Sequence, residues 1–141
     1  MLSAVGAILY TQSTHRCLFL LRTSPKHNNT WGLVGGKIEA GESVINGLKR
    51  ELLEEIGLLP NIQKFIPIDT FTSNDQQFQY HTFVCVIRDE FIPILNSEHS
   101  GYCWAKIQQY PKPLHPGFFN ALTSKVIQQK LQMVKEIIEN I

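Results

Sequence analysis

The densest run of chemistry-bearing side chains is Arg50-Glu51-Leu52-Leu53-Glu54-Glu55-Ile56-Gly57. Apolar Ile45, Leu48, Leu52 and Ile56 recur at three- and four-residue spacing, which predicts a helix with one apolar face. At about 100° per residue, Glu51 falls between Glu54 and Glu55 around that helix, so the three carboxylates share a face. The grouping is unfavourable on its own. Like charges at these spacings repel by about 0.2–0.5 kcal/mol per pair, and the last turn of a helix favours cations instead. Arg50 can pair with Glu54 four residues on, but one guanidinium does not neutralise three carboxylates. Either the face is simply solvated or a divalent cation completes it, and an all-oxygen ligand set suits Mg²⁺ or Mn²⁺.

The flanking residues favour the cation. Gly35-Gly36 closes an apolar run and lets backbone come close to a ligand. Gly41-Glu42-Ser43 opens the helix, with Ser43 placed to cap it, and Gly57 followed by Leu59-Pro60 ends it. A glycine turn, a loop bearing a carboxylate and a carboxylate-rich helix therefore follow one another.

Gly36, Glu42, Arg50, Glu51, Leu52, Glu54, Glu55, Gly57 and Leu58 fill every fixed position of the pattern G-x5-E-x7-R-E-U-x-E-E-x-G-U, where U is aliphatic. In this the segment resembles the signature box of the Nudix hydrolases. The resemblance implies an α/β architecture, the Nudix fold, with a mixed β-sheet sandwiched between α-helices. It also implies hydrolysis of a pyrophosphate bond in a nucleoside diphosphate linked to another moiety. Glu51, Glu54 and Glu55 would hold Mg²⁺ or Mn²⁺, with the Gly36 carbonyl as a further ligand, and Glu42 and Arg50 would orient those carboxylates. Leu33-Val34 stand where the family commonly has Leu-Pro, a small departure that leaves the glycines intact.

Composition bounds the rest. A length of 141 residues fits one domain over 1–141 with a real core. A hydrophobic fraction of 43% with 18% charged residues is that of a soluble globular protein. The net charge of +1 gives no electrostatic case for a nucleic-acid or membrane partner. Cys17, Cys85 and Cys103 are isolated and odd in number, as expected of small apolar residues in a reducing compartment. A strand-like pattern begins at Met1 with no signal segment, and no apolar run is long enough to span a bilayer, so the expected location is cytoplasmic.

Along the chain, Met1–Tyr10 and Arg16–Arg22 read as two strands forming a hairpin, and Trp31–Val34 as a short strand. Residues 62–71 and 77–86 read as two further strands around the turn Ser73-Asn74-Asp75. In the second, Phe78, Tyr80 and Thr82 face one way and Gln79, His81 and Phe83 the other, and one face should line the cleft. Phe78 or Tyr80 could stack on a base and His81 could touch a phosphate, although packing is the commoner role for each. Residues 88–96 are a loop or edge segment broken by Pro93. From 118 onward a helix, in one or two pieces, turns Ile127, Leu131, Val134, Ile138 and Ile141 to the sheet. The same helix could supply a homodimer seam.

From position alone Arg22 is a surface charge. The resemblance gives it a phosphate-contacting role, for which a guanidinium fork is well shaped. Likewise Glu98, a few residues before Trp104, matches a loop glutamate that faces the metal, so the water-activating base is either Glu54 or Glu98. A proline and a tyrosine that mark ADP-ribose and dinucleoside polyphosphate hydrolysis in this family are replaced by Ser73-Asn74-Asp75-Gln76. That leaves nucleoside triphosphates or sugar nucleotides as the expected small-molecule substrate. The alternative is a Nudix domain that has lost catalysis and serves as a nucleotide-sensing or protein-binding module. It would show a degraded box, and this box is complete. An RNA-end hydrolase would want a basic channel, which a net charge of +1 does not supply.

Overall fold

The computed structural model describes residues 1–140, so the Ile141 position of the last helix lies outside the described residues. Strand β1 (Leu2–Thr11) is the axis of the sheet. Its side chains are buried on both faces. Val5, Ala7 and Leu9 join one core layer and Ile8 and Tyr10 the other, which is why the run reads as continuously apolar. One edge of β1 pairs in parallel with β6 (Phe78–Ile87) along its whole length, and β6 pairs antiparallel with the edge strand β5 (Lys64–Thr72). Pro67 is tolerated in β5 because this is an edge, and a bulge at Ile68 turns that side chain into the core.

The other edge of β1 forks. Near its start it pairs with β4 (Val34–Lys37), and near its end, at Tyr10↔Cys17, with β2 (Cys17–Arg22). The expected hairpin is therefore joined at its closed end, and β2 then diverges to pair with β3 (Trp31–Gly32) and β7 (His99–Ala105). The strand expected over 31–34 is two pieces, because the chain changes partner from β2 to β1 at Leu33. Parallel and antiparallel pairings make the sheet mixed.

Helix α1 (Val44–Ile56) covers one face, with Leu48, Leu52 and Ile56 fully buried against Val5, Leu9, Leu18 and Leu20. Each such side chain stabilises by about 1.5–3 kcal/mol relative to exposure, so the helix bearing the carboxylates is firmly seated. Helices α2 (Pro116–Thr123) and α3 (Lys125–Glu139) cover the other face through Phe118, Leu122, Ile127, Val134 and Ile138. The last helix is in two pieces, broken at Ser124, which caps α3. The sheet is thus sandwiched between helices, as expected. No helix among the described residues is long and apolar enough to cross a membrane.

Candidate active site

Helix α1 begins and ends where its sequence dictates. The Ser43 hydroxyl accepts from the Asn46 N–H at 3.1 Å, and Gly57 stops the helix in the left-handed region at φ 76°. A second segment packs against this stop. Ile94 donates its N–H to the Ile56 carbonyl at 2.9 Å, and a β-carbon at position 57 would stand 2.6 Å from the Ile94 β-carbon. The Asn96 amide donates to the Glu54 carbonyl at 3.1 Å while its oxygen accepts from the Glu98 N–H at 3.0 Å. The loop before β7 is thereby tied to the end of α1, and Glu98 is delivered beside the helix carboxylates.

Arg50 organises the other end of the site. Its Nε and Nη2 donate to the two oxygens of Glu42 at 2.8 and 3.0 Å, a bidentate pair, and Nη2 also reaches the Lys37 carbonyl at 2.8 Å. Nη1 donates to Glu51 at 3.0 Å and, more loosely, to Glu54 at 3.4 Å. The four-residue pairing with Glu54 is thus the longest of its hydrogen bonds, and only an ion pair with Glu39 at 3.7 Å is longer. The hydrogen bond from Arg50 holds the Glu42 carboxyl down at about 2, helped by the Glu39 N–H. Glu51 is nearly enclosed, and Gly36 makes room for it: a β-carbon there would stand 2.5 Å from its carboxylate.

Glu55 bridges the fork in the sheet. Its Oε1 accepts from the Gly35 N–H of β4 at 2.6 Å, and its Oε2 lies 3.5 Å from His99 Nδ1 of β7. Both side chains are 4% exposed. Burial pushes the Glu55 carboxyl up to about 8, the Gly35 hydrogen bond opposes that, and the charges of Glu51 and Glu98 add to it. Burial also raises Glu51, against the pull of Arg50. Burial and neighbouring negative charge disfavour the ionised form of Glu55 and Glu51, and a cation beside them offsets both. Donor chemistry and crowding both fit a divalent metal ion.

Opposite this cluster, Arg22 makes no ion pair with a carboxylate among the described residues. Its Nη2 donates to the Ser24 hydroxyl at 3.2 Å, and its Nε is buried without a partner. A bulge at Ser100 sets His99 across from Arg22 in the β2–β7 register. Burial first, and the Arg22 charge second, hold the His99 imidazole down at about 4. Tyr80 projects on the α3 side of β6 with its hydroxyl over Gly6, and burial followed by the Glu55 charge pushes it up to about 12. Phe78 shares that face two residues away, half-buried. His81 faces the other side, towards α1, where Nδ1 lies 3.2 Å from the Thr70 hydroxyl.

The expected residues therefore divide. Glu51, Glu55, Glu98 and Arg22 converge, with Tyr80 beside them. Glu54 is half-exposed at the rim, Phe78 lies further along β6 and His81 points away. Asn96 and His99 escaped the sequence reading. The signal for both was their closeness to Glu98. A small cavity lined by Tyr10, Cys17, Leu131 and Val134 lies at the opposite end of β1 and holds no such grouping.

The match to known proteins follows these features. The sequence profile of the NUDIX domain fits residues 2–124. The chain is 31% identical over 121 residues, 75% of each sequence, to a dihydroneopterin triphosphate diphosphatase of Haemophilus influenzae. It is 31% identical over 111 residues to the nucleoside triphosphatase NudI of Escherichia fergusonii, covering 71% of this chain and 75% of that one. The fold superposes on a Nudix hydrolase of M. smegmatis, RenU, with a TM-score of 0.74 at 23% identity, over 96% and 86% of the two chains. The chain belongs to the Nudix hydrolases. It is a pyrophosphohydrolase of that family, whose members generally use a divalent metal ion and include enzymes named for nucleoside triphosphates.

Proposed function

We propose that residues 1–141 form one catalytic domain that hydrolyses a nucleoside triphosphate to the monophosphate and pyrophosphate, with Mg²⁺ as the working metal. One observation carries the reading: an arginine without a carboxylate partner, Arg22, faces the carboxylates Glu51, Glu55 and Glu98 across a fork in the sheet. The names of the two relatives, both acting on triphosphates, support the substrate class. Three unpaired thiols suit work in a reducing cytoplasm.

In this reading Glu51, Glu54, Glu55 and Glu98, with the Gly36 carbonyl, hold the metal. When bound, it neutralises phosphate charge and fixes the phosphates for attack. Arg22 grips a phosphate through its free N–H groups, and Tyr80 and Phe78 offer ring faces to the base. Water attacks phosphorus, the bond to the bridging oxygen breaks, and the proton leaves to Glu54 or Glu98. Arg50, anchored on Glu42, keeps Glu51 in place and offsets its charge.

The test is phosphate release, with added inorganic pyrophosphatase or phosphatase to convert the products, across a panel of nucleoside triphosphates, sugar nucleotides and dinucleoside polyphosphates with Mg²⁺, alongside Glu54→Gln and Glu98→Gln. Removing the base should lower kcat by about 10²–10⁴-fold. A preference for sugar nucleotides would move the substrate class. Silence across the panel, with Mn²⁺ also tried, would favour a binding module instead.

A further inference from the structure

We propose that His99 supplies a nitrogen ligand, through Nδ1, to the divalent cation held by Glu55 and Glu98. The inference rests on the reading that these carboxylates bind a metal, and adds to it a donor of a different chemical kind. Ligand atoms of Glu55, Glu98 and His99 lie within 4.8 Å of one another, close enough to share one ion. His99 Nδ1 is buried and has no hydrogen-bond partner. Its nearest carboxylate oxygen, Glu55 Oε2, is 3.5 Å away, beyond the usual 2.7–3.2 Å of such a bond. A buried polar atom left unpaired is costly, and a cation between the two groups satisfies both.

The backbone shows how the ring is aimed. Without the bulge between Leu21 and Arg22, Ser100 would oppose Arg22. The extra residue puts the imidazole there instead, on the side of the fork where Glu55 arrives from α1. Glu98, one residue earlier, is held by Asn96 and reaches the same point from the loop. Three ligands thus come from three separately anchored elements.

A nitrogen donor changes which metal the site prefers. Mg²⁺ seeks hard oxygen ligands, whereas imidazole suits the transition metals. The enzyme should therefore favour Mn²⁺ or Co²⁺ over Mg²⁺ more strongly than an all-oxygen site would.

Pulsed EPR on the chelator-stripped protein reloaded with one equivalent of Mn²⁺ tests this directly. The expected result is ¹⁴N coupling from a bound imidazole, changed to the ¹⁵N pattern by ¹⁵N-histidine labelling and lost in His99→Gln. Mn²⁺ affinity in that variant should fall on the order of 10-fold or more, with Mg²⁺ affinity much less affected. If His99→Gln does not fold, a variant keeping His99 as the sole one of the five histidines must retain the coupling. Absence of coupling in the wild-type protein, or its persistence in a folded His99→Gln, overturns the inference. Nucleotide hydrolysis without nitrogen coupling sinks this inference alone. Nitrogen coupling in a protein that hydrolyses no nucleotide sinks the proposed function and leaves His99 as a ligand.

Discussion

The Gly36→Ala substitution tests whether the position of one carboxylate, and not only its presence, governs turnover. The new β-carbon would stand 2.5 Å from Cδ and Oε1 of Glu51 and 2.7 Å from Oε2. Ordinary contact begins near 3.4 Å, so the carboxylate must retreat by about 0.9 Å. It is the end of a flexible side chain, and alanine fits an extended strand, so the fold should tolerate the change. The geometry should not. A retreat of that size is enough to break the 3.0 Å bond from Arg50 to Glu51. A misplacement of about 1 Å can cost roughly 10²-fold in rate. We expect kcat to fall about 10²-fold, with weakened divalent-cation binding in calorimetry and a Tm within about 4 °C of wild type. Glu51→Gln, measured beside it, gives the effect of removing the charge outright. A folded Gly36→Ala enzyme with unchanged kcat and metal affinity would refute the reasoning and remove Glu51 from the reacting centre.

Arg50→Lys keeps the charge but loses the fork on Glu42; calorimetry should show metal affinity reduced about 10–100-fold, and wild-type affinity would mean that the pair only braces the loop. Asn96→Ala removes two hydrogen bonds of about 1 kcal/mol each, so Tm should drop by several degrees with a fall in kcat, and thermal melts paired with steady-state assays check both. Burial pushes the Tyr10 and Tyr80 hydroxyls up to about 12 from an ordinary 10. Absorbance titration of the native protein should therefore show two tyrosines ionising late. The unfolded chain releases those protons first, so stability falls as pH rises past 10. Burial likewise pushes the Cys17 and Cys85 thiols up to about 12, and both should resist alkylation until the protein is denatured.

What the sequence disclosed was local. The helix from Val44 to Ile56, its cap at Ser43 and its stop at Gly57 lie within one segment, so spacing and cap chemistry were enough to find them. The final helix was legible from its spacing too, with one or two pieces left open; the structure breaks it at Ser124. The fork was not legible, because it depends on which edge of β1 each of β2 and β4 takes, and no short-range pattern encodes that choice. The resemblance put Arg50 and Glu42 beside the carboxylates, but spacing alone did not pair them: a four-residue rule points to Glu54, whereas the stronger partner sits in the loop packed back on the helix. His99 escaped because its aim depends on a bulge, and a bulge is visible only once the strands are paired.

The attachment of residue 94 to the end of α1 has a consequence for how the site can move. An exposed loop such as the one before β7 is usually free to breathe. Here the Ile94 amide closes an otherwise open helical carbonyl, and the missing side chain of Gly57 is what allows it in. Opening the loop would fray the last turn of α1 and release Glu54 and Glu55 with it. The Ile94 amide should therefore exchange with solvent deuterium at the rate of the helix end rather than that of a surface loop. The loop after β2 is drawn into the same unit, because Thr23 donates its N–H to the Glu98 carbonyl at 2.9 Å and its hydroxyl to the Ser97 carbonyl at 2.8 Å.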